Sequence, residues 1–415
     1  MRRYESYKDS GVEWLGEVPS HWELGRISTY FTERRTKVSD KDYPALSVTK
    51  LGVFPQWENV AKTNDGDNRK LAKKGDFVIN SRSDRKGSSG IAKQDGSVSL
   101  INIVLQPKKI NSVYSEYLFK SYSFIEEFYR VGHGIVADLW TTRFEDIKNS
   151  LIIFPPLSEQ QKIAQFLDDK TAKIDQAVNL AEKQIALLKE HKQILIQNAV
   201  TRGLNPDVPL KDSGVEWIGQ VPEHWELTIG MNVFRENKRD NKGMKENTVL
   251  SLSYGKIIIK PEEKLFGLVP ESFETYQIVE PNDIIIRCTD LQNDQTSLRT
   301  GLAQDKGIIT SAYLNLKVIN NYSAKFLHYY LHALDITKVL YKFGSGLRQN
   351  LSFLDFKRLP IIDISLAEQQ QIADYLDAQI IKIDQAIALK TAHIEKLKEY
   401  KSVLINDVAT GKVRV

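Results

Sequence analysis

The sequence predicts an α+β protein in which two α/β modules are separated by two long helices. These helices are expected to pair as an antiparallel coiled coil with internal pseudo-two-fold symmetry. Three observations indicate this fold. The stretch from Ser158 to Gly203 contains no internal proline or glycine and carries an apolar stripe of helical period. The stripe recurs 209 positions later, and a separate loop of seventeen residues recurs 203 positions later.

The first long helix would measure about 60 Å at 1.5 Å per residue, too long for one ordinary domain to enclose, so it needs a partner helix. Ser158 and Gln161 have the spacing of a capping box, and Gly203 is a plausible stop. The apolar seam of this helix comprises Leu167, Ile174, Val178, Ala181, Ile185, Leu188 and Leu195. Its counterpart comprises Leu376, Ile380, Ile383, Ile387, Ile394, Leu397 and Leu404. A seam that matches along its whole length favours two helices packed as a coiled coil.

The repeated loop runs from Lys8 to Leu24 and again from Lys211 to Leu227, and the copies differ at three of seventeen positions. Its Asp-Ser-Gly and Val-Pro runs are typical of turns, so the segment is predicted to form a compact loop. Its tryptophans are expected to pack in the protein rather than to stack on DNA bases. They are Trp14, Trp22, Trp217 and Trp225.

Two diverged segments, Gly25–Pro156 and Thr228–Ser365, lie between the repeated elements. The first is predicted to contain strands and helices, and the second to repeat this plan with different loop lengths. The expected strands are Ala45–Val48, Phe77–Ile79 and Ile101–Leu105, and the expected helices are Phe31–Lys37 and Ser115–Val131. The predicted domains are 1–157 (first module with its loop copy), 158–204 (first long helix), 205–366 (second module with its loop copy) and 367–415 (second long helix). Symmetry places one module at each end of the helix pair.

Composition indicates the kind of partner. The net charge is only +4, but residues 24–157 hold 21 Lys and Arg against 15 Asp and Glu, and residues 228–366 hold 18 against 15. The positive excess therefore lies in the two modules, as expected if they face a polyanion. A single cysteine, Cys288, excludes a disulfide framework, and no signal peptide or long apolar run is apparent. A cytoplasmic protein is expected.

Motifs that would indicate catalysis are missing from the sequence. It has no Walker A motif, glycine-rich dinucleotide fingerprint or Gly-x-Ser-x-Gly elbow, and its seven histidines do not cluster at metal-ligand spacing. Loose nuclease carboxylate motifs are too variable to be excluded in this way. The chain is interpreted as non-catalytic, with no cofactor or metal of its own.

Base edges in DNA are read by Arg, Lys, Asn, Gln and Ser on loops that leave strands. In the first module the run Asn80–Ser89, directly after a strand, is rich in such donors, Thr49 and Lys50 follow another strand, and Arg69 and Lys70 add positive charge nearby; the second module has counterparts. The alternative is that these are ordinary polar loops, and about half or more of protein–DNA contacts go to the backbone in any case. In the first module the candidates are Thr49, Lys50, Arg69, Lys70, Arg82, Arg85, Lys86 and Ser88. In the second they are Ser253, Tyr254, Arg287, Gln292, Asn293, Gln295, Arg348 and Gln349.

The repeated loop, with Gly-Val-Glu-Trp followed by Val-Pro-x-His-Trp-Glu-Leu, and the helix start Phe154–Ala164 with its second copy resemble the specificity subunit of type I restriction–modification systems. The resemblance covers essentially the whole chain. One departure is the second helix start, Asp363–Glu368, which lacks the Pro-Pro of the first.

The resemblance implies that each module is a target recognition domain reading one half of a split, asymmetric site in double-stranded DNA. It implies that the helices set the spacer and dock two modification subunits, which bring S-adenosylmethionine and methylate adenine. Restriction subunits would add ATP-driven translocation and cleavage, with Mg implied for the partners and no cofactor bound by this chain.

Two other functions remain to be distinguished from this one. A coiled-coil scaffold without DNA recognition would explain the seam but not the two charge-enriched modules. A self-sufficient restriction–modification enzyme would need a methyltransferase motif, which the sequence lacks.

Overall fold

The computed structural model describes residues 2–56, 66–136, 140–261, 263, 272–289, 291, 298–343 and 350–415. The chain divides into two compact units. Unit 1 comprises Met1–Glu182 and Thr391–Val415, and unit 2 comprises Lys183–Lys390. The two long helices predicted from the sequence are confirmed, and each contributes residues to both units.

Unit 1 contains thirteen described strands and four short helices before the first long helix. The strands are β1 (Tyr7–Asp9), β2 (Glu17–Pro19), β3 (Glu23–Arg26), β4 (Phe31–Glu33), β5 (Lys37–Val38), β6 (Leu46–Thr49), β7 (Gly52–Pro55), β8 (Arg69–Ala72), β9 (Phe77–Asn80), β10 (Ser89–Ile91), β11 (Gly96–Val98), β12 (Asn102–Pro107) and β13 (Leu151–Phe154). The helices are α1 (Ile27–Tyr30), α2 (Ser112–Lys120), α3 (Tyr122–Arg130) and α4 (Phe144–Ile147), followed by the long α5 (Leu157–Arg202). The main sheet has the antiparallel order β10-β9-β12-β4, and a second has the order β11-β8-β5.

Unit 2 repeats this plan with its own strands. They are β14 (Leu210–Asp212), β15 (Gln220–Pro222), β16 (Glu226–Ile229), β17 (Phe234–Glu236), β18 (Leu250–Ser253), β19 (Lys256–Ile259), β20 (Gln277–Val279), β21 (Ile284–Ile286), β22 (Thr300–Leu302), β23 (Gly307–Ile309), β24 (Leu314–Val318) and β25 (Pro360–Asp363). Its helices are α6 (Ala324–Ile336) and α7 (Phe353–Lys357), followed by the long α8 (Leu366–Ala409). The main sheet has the order β17-β24-β21-β22.

Each module is closed by pairing between its first and last strands. In unit 1, β3 begins at the end of the first loop copy and pairs antiparallel with β13, which immediately precedes α5. In unit 2, β16 begins at the end of the second loop copy and pairs antiparallel with β25, which immediately precedes α8. The chain therefore returns to the point where the module began before it enters a long helix, so modules of different sequence can be inserted between the same flanking elements.

In unit 1 the first part of α5 packs beside the last part of α8. Leu167 and Ile174 belong to the same buried cluster as Leu404, Val408 and Ala409. Lys401 donates to both carboxylate oxygens of Asp175 at 2.7 Å. Of the seam residues in this unit, Leu167, Ile174, Ala181, Ile394 and Leu404 are buried, and Val178 and Leu397 are half-buried.

In unit 2 the last part of α5 lies antiparallel to the first part of α8. Lys192 donates to Asp384 at 2.7 Å, and Lys390 donates to Gln184 at 2.6 Å. The residue numbers of the contacts therefore fall along α5 as they rise along α8, as in an antiparallel pair. Leu376 and Ile383 are buried, and the remaining seam residues of this unit are half-buried: Ile185, Leu188, Leu195, Ile380 and Ile387.

A buried tryptophan in each loop copy donates a hydrogen bond to a glutamate in the first turn of the long helix that follows. Trp22 is fully buried and its Nε1 donates to the Glu159 carboxylate at 2.9 Å. In unit 2, the fully buried Trp225 donates in the same way to Glu368 at 2.9 Å. These contacts explain the shared loop sequence by packing, as expected for the tryptophans. We call each Trp–Glu pair the loop latch.

The next residue of each long helix ties the module to the helix. The Gln160 amide donates to the carbonyl of Pro155 and accepts from the backbone N–H of Asn111, both at 2.8 Å. Gln369 accepts from the N–H of Ser323 at 2.8 Å in the same way. Asn111 and Ser323 are the N-cap residues of α2 and α6, so this glutamine fixes where the main module helix begins.

Three local expectations are corrected. The predicted helix Phe31–Lys37 is replaced by strands, because Phe31–Glu33 pairs with β12 as an edge of the main sheet. The predicted helix Ser115–Val131 is two helices, since the Ser121 side chain caps a new helix by accepting from the Phe124 N–H. The long helix begins at Leu157, so Ser158 lies inside its first turn instead of capping it.

The expected end of the first long helix is confirmed. α5 ends at Arg202, and Gly203 follows with φ of +73°, a conformation that glycine adopts without steric cost. Gly411 has φ of +78° shortly after the end of α8. The residues after α8 then pack against residues that precede the first loop copy, where the Tyr7 hydroxyl donates to the carbonyl of Lys412 and the N–H of Arg414 donates to that of Arg2.

Candidate nucleic-acid interface

The donor-rich loop after β9 is held in one shape by its own backbone. The N–H of Asn80 donates to the carbonyl of Ser88 at 2.8 Å, and the Asn80 side chain accepts from the N–H of Arg82 at 3.1 Å. A short 3-10 turn, Ser83–Arg85, forms its tip. The loop therefore presents its side chains on a fixed support, which direct recognition of base edges requires.

Side chains of this loop differ in their access to a ligand. The side chain of Arg85 is 68% exposed and lies 3.6 Å from Asp84. Arg82 is half-buried, and Lys86 is engaged with Glu126 at 2.6 Å. Ser88 is buried, which corrects its assignment as a DNA-contacting residue. Arg85 is thus the predicted residue of this loop that most readily reaches a duplex.

Residues 133–136 and 140–141 lie against this loop, and none of them was a candidate from the sequence. His133 and Thr141 exchange backbone hydrogen bonds, and the N–H of Ser83 donates to the carbonyl of Trp140 at 2.9 Å. Ile135 is fully exposed, at 103% of its reference area. A signal for them in the sequence is the apolar pair Ile135-Val136, directly after Gly132-His133-Gly134.

Together these loops form a surface that we call the loop face, comprising Arg82, Arg85, His133, Ile135 and Val136. It combines cationic donors with exposed apolar groups. Guanidinium groups bind phosphate or guanine, and aliphatic side chains contact the thymine methyl group, so the combination suits the edge of a DNA groove.

Arg69 and Lys70 do not belong to such a surface, and their assignment is corrected. Arg69 is buried in β8, where it donates to the hydroxyl and carbonyl of Ser97 at 2.8 and 3.0 Å. Burial lowers the pKa of its guanidinium. Lys70 donates to the carbonyl of Asn102 at 2.7 Å. Both side chains stabilise the pairing of strands.

The tips of two equivalent hairpins are the other exposed candidates. In unit 1, β6 and β7 are joined at Lys50 and Leu51, and the hydroxyl of Thr49 donates to the carbonyl of Gly52 at 3.0 Å to close the turn. Lys50 is exposed, as is Leu51 at 85%. The Thr49 hydroxyl thus serves the turn, while Lys50 faces solvent.

The hairpin of unit 2 joins β18 to β19 through Tyr254 and Gly255, whose φ angles are +48° and +76°. Two positive φ values fit a tight two-residue hairpin turn of the I′ kind. Tyr254 is 92% exposed, and Ser253 beside it is half-buried. An aromatic ring on a hairpin tip is well placed for contact with a sugar or base.

Arg287 follows β21 in unit 2 at the position that corresponds to the donor-rich loop of unit 1. It is half-buried, and its backbone is fixed by Arg299, whose N–H groups donate to the carbonyls of Arg287 and Thr289 at 3.2 and 2.8 Å. Arg299 is fully buried and also donates to the Tyr341 hydroxyl at 3.0 Å. Five further candidates lie outside the described residues: Gln292, Asn293, Gln295, Arg348 and Gln349.

Cys288, next to Arg287, is buried beneath this segment, and its burial raises the pKa of the thiol to about 12. A thiol with a raised pKa is a poor nucleophile, so Cys288 acts as a core residue.

Among the described helices, none has an apolar stretch of the length needed to cross a membrane.

Comparison with known proteins gives the family context. A family model for the type I restriction modification DNA specificity domain matches residues 20–185. The chain is 25% identical over 434 residues to the type I restriction enzyme MjaVIII specificity subunit of Methanocaldococcus jannaschii, covering 96% of this chain and 94% of that one.

Two solved structures share the fold. A chain from a structure concerned with complex assembly and conformational transition of the type I R-M system has a TM-score of 0.70 at 14% identity, covering 95% of this chain and 99% of that chain. The HsdS subunit of Thermoanaerobacter tengcongensis has a TM-score of 0.55 at 16% identity, covering 95% and 98%.

Proposed function

Because this chain belongs to the family of type I restriction–modification specificity subunits, we propose that it reads DNA sequence, with each module recognising one half of a bipartite, asymmetric site. The two modules share a plan but differ in sequence, which suits two readers of different half-sites. The match to the DNA specificity domain includes the whole first module. This favours DNA recognition over the alternative of a coiled-coil scaffold.

The observation that carries the proposal is the loop face. Arg85 projects from a turn whose backbone is held by Asn80 and by the hydrogen bond from the Ser83 N–H to the carbonyl of Trp140. A rigid guanidinium can donate two hydrogen bonds to guanine, and such a pair is worth about 1–3 kcal/mol of discrimination. In this proposal Arg85 contributes to reading of one half-site.

The helix pair is assigned two roles, setting the spacer and docking two modification subunits. The docking role is supported by exposed apolar residues at helix positions that are related by the 209-residue shift. In unit 1 these are Leu180 and Val403, and in unit 2 they are Ile194 and Leu389. Large apolar side chains exposed on a helix are suited to covering by a partner helix. Equivalent positions on two helices would bind two copies of one partner.

The chemistry of the system is assigned to the partners. In this proposal the chain is non-catalytic and cytoplasmic and binds no cofactor. The modification subunits supply S-adenosylmethionine-dependent methylation of adenine, and restriction subunits supply ATP- and Mg-dependent translocation and cleavage.

The test is to map methylated adenines in DNA from cells that express this chain with its modification partner. A bipartite motif is expected. The Arg85→Ala variant should relax one half of that motif and leave the other half unchanged, whereas the exposed control Lys93→Ala should leave both halves intact. Methylation without any sequence preference, or an Arg85→Ala pattern identical to that of the unaltered chain, would contradict the proposal.

A further inference from the structure

A basic cleft in unit 1 lies between the β6–β7 hairpin tip and the long helices, outside the loop face. Its volume is about 720 Å³. Five lysines line it: Lys50, Lys86, Lys120, Lys398 and Lys401. They are opposed by three carboxylates, Glu116, Glu126 and Asp175, so the lining has two positive charges in excess.

Unit 2 has a cleft in the equivalent place, between the β18–β19 hairpin tip and the long helices. Its volume is about 500 Å³, and it is lined by Lys189, Lys192 and Lys256 against the single carboxylate of Asp384. The excess is again two positive charges. The clefts use the same helix positions, because Lys189 and Lys192 correspond under the 209-residue shift to Lys398 and Lys401 of unit 1.

The ion pairs show which lysines carry the excess charge in unit 1. Lys86 is paired with Glu126 at 2.6 Å, Lys120 with Glu116 at 2.9 Å and Lys401 with Asp175 at 2.7 Å. Lys50 and Lys398 remain. Lys50 is exposed on the hairpin tip, and Lys398 is exposed on α8, with a 3.3 Å contact to Glu395, which does not line the cleft.

The lysines of the unit 2 cleft divide in the same way into one that is ion-paired and two that are exposed. Lys192 is paired with Asp384 at 2.7 Å, the counterpart of the Lys401–Asp175 pair. Lys189 on α5 and Lys256 at the hairpin tip are exposed and carry the excess. Each unit therefore presents one lysine from a module hairpin and one from a long helix across a cleft of the same design.

We propose that each cleft is a two-lysine site for DNA backbone phosphates, formed by Lys50 with Lys398 in unit 1 and by Lys256 with Lys189 in unit 2. This inference rests on the proposed function and deepens it by assigning contacts that do not depend on sequence. Lysine is a flexible point charge that binds phosphate without reading bases. Its recurrence at matched helix positions, in a chain whose modules have diverged, suits a contact that every target shares.

Features of the hairpin tips favour a nucleic-acid backbone over an acidic protein segment. The residues beside the lysines, Leu51 and Tyr254, are almost fully exposed and differ in kind. A protein partner bound at both sites would meet two different contact residues, whereas the deoxyribose and phosphate of DNA offer either one a partner. The clefts also lie beside the hairpins of the modules assigned to DNA.

The test measures how salt affects binding of the full-length chain to a linear duplex of mixed sequence. Each phosphate contact contributes about 0.9 to the slope of log affinity against log salt. The double variant Lys189→Gln/Lys398→Gln should lower the magnitude of that slope by about 1.8 and weaken binding equally on every duplex. The matched control is Lys173→Gln/Lys382→Gln, because these lysines are also exposed, related by the same shift and outside both clefts.

An unaltered slope in the cleft variant, or an equal fall in the control, would overturn the proposal. So would loss of co-purification with the modification subunit while the slope stays unchanged, because the clefts would then serve a protein partner. Failure of the proposed function has a different signature. The assembled complex would then show no sequence preference, and the slope on mixed-sequence DNA would still decide whether the lysines bind phosphate.

Discussion

The loop latch of unit 1 can be broken by Glu159→Ala, which removes the acceptor for a fully buried indole. The Nε1–H of Trp22 donates to the Glu159 carboxylate at 2.9 Å, and His21 lies 3.0 Å from the same oxygen. A hydrogen bond to a charged group contributes about 1.5–3 kcal/mol, and a buried donor left without a partner costs about 1–3 kcal/mol. The Glu159 side chain is 22% exposed, so water can partly replace it. We therefore expect a local loss of about 2 kcal/mol.

Hydrogen exchange of peptides from the repeated loop is the appropriate assay, because the molecule contains its own control. A loss of about 2 kcal/mol corresponds to about 30-fold faster exchange in peptides from Lys8–Leu24. Peptides from Lys211–Leu227, held by the intact Trp225–Glu368 latch, should keep their protection. Glu368→Ala should reverse the pattern.

Glu159→Gln is the conservative comparison, because it retains an acceptor oxygen and should lose less protection than Glu159→Ala. Unchanged exchange in Lys8–Leu24 after Glu159→Ala would refute the role given to the latch. Equal acceleration in both loop copies would mean that the substitution acts on the whole protein and not on one loop.

Two further predictions concern unit 2. Gly230→Ala should destabilise the unit by several kcal/mol in urea denaturation, because the new Cβ would lie 1.8 Å from the backbone carbonyl oxygen of Phe356 in α7. The control Gly214→Ala has open space around its Cβ and should cost about 1 kcal/mol, from its φ of +73° alone. Equal losses of stability in the two variants would refute the clash at Gly230. Burial lowers the pKa of His328 to about 4 and that of His332 to about 3, so the fold favours their neutral forms. This stability is fully present above the unfolded pKa of about 6.5 and is lost as the pH falls toward 4, by up to about 1.4 kcal/mol per pH unit for each histidine. Urea midpoints at about pH 7 and pH 5 should differ less in His328→Gln/His332→Gln, and an undiminished difference would assign the acid sensitivity to other groups.

The long helices were predictable because their information is local and periodic. The seams that start at Leu167 in α5 and at Leu376 in α8 repeat at helical spacing, and the glycine at position 203 marks the end of α5. Periodicity fails where distant pairing decides the structure. Phe31 was assigned to a helix, but its place in the sheet depends on β12, more than seventy positions away.

The candidate interface was predictable in outline but not in detail. The strand before the donor-rich loop was evident, and Arg85 is exposed as a contact would require. Arg69 looked equivalent in sequence, yet it is buried because its partner Ser97 lies on a strand that only the folded pairing brings alongside. Of the cleft lysines, Lys50 was a candidate from the sequence, but Lys189, Lys256 and Lys398 were missed. Lys398 and Lys50 are far apart in sequence and line one cavity only in the fold.

Unit 1 is assembled from both ends of the chain, and this has a consequence for biosynthesis. A nascent polypeptide extended to Lys390 already contains all of unit 2. It still lacks Leu404, Val408 and Ala409, which cover Leu167 and Ile174 in the core of unit 1. Residues 1–182 are thus translated before the residues that complete their core. We therefore expect Leu167 and Ile174 to stay uncovered until Leu404 has been synthesised, and chaperones to bind the nascent chain at this surface.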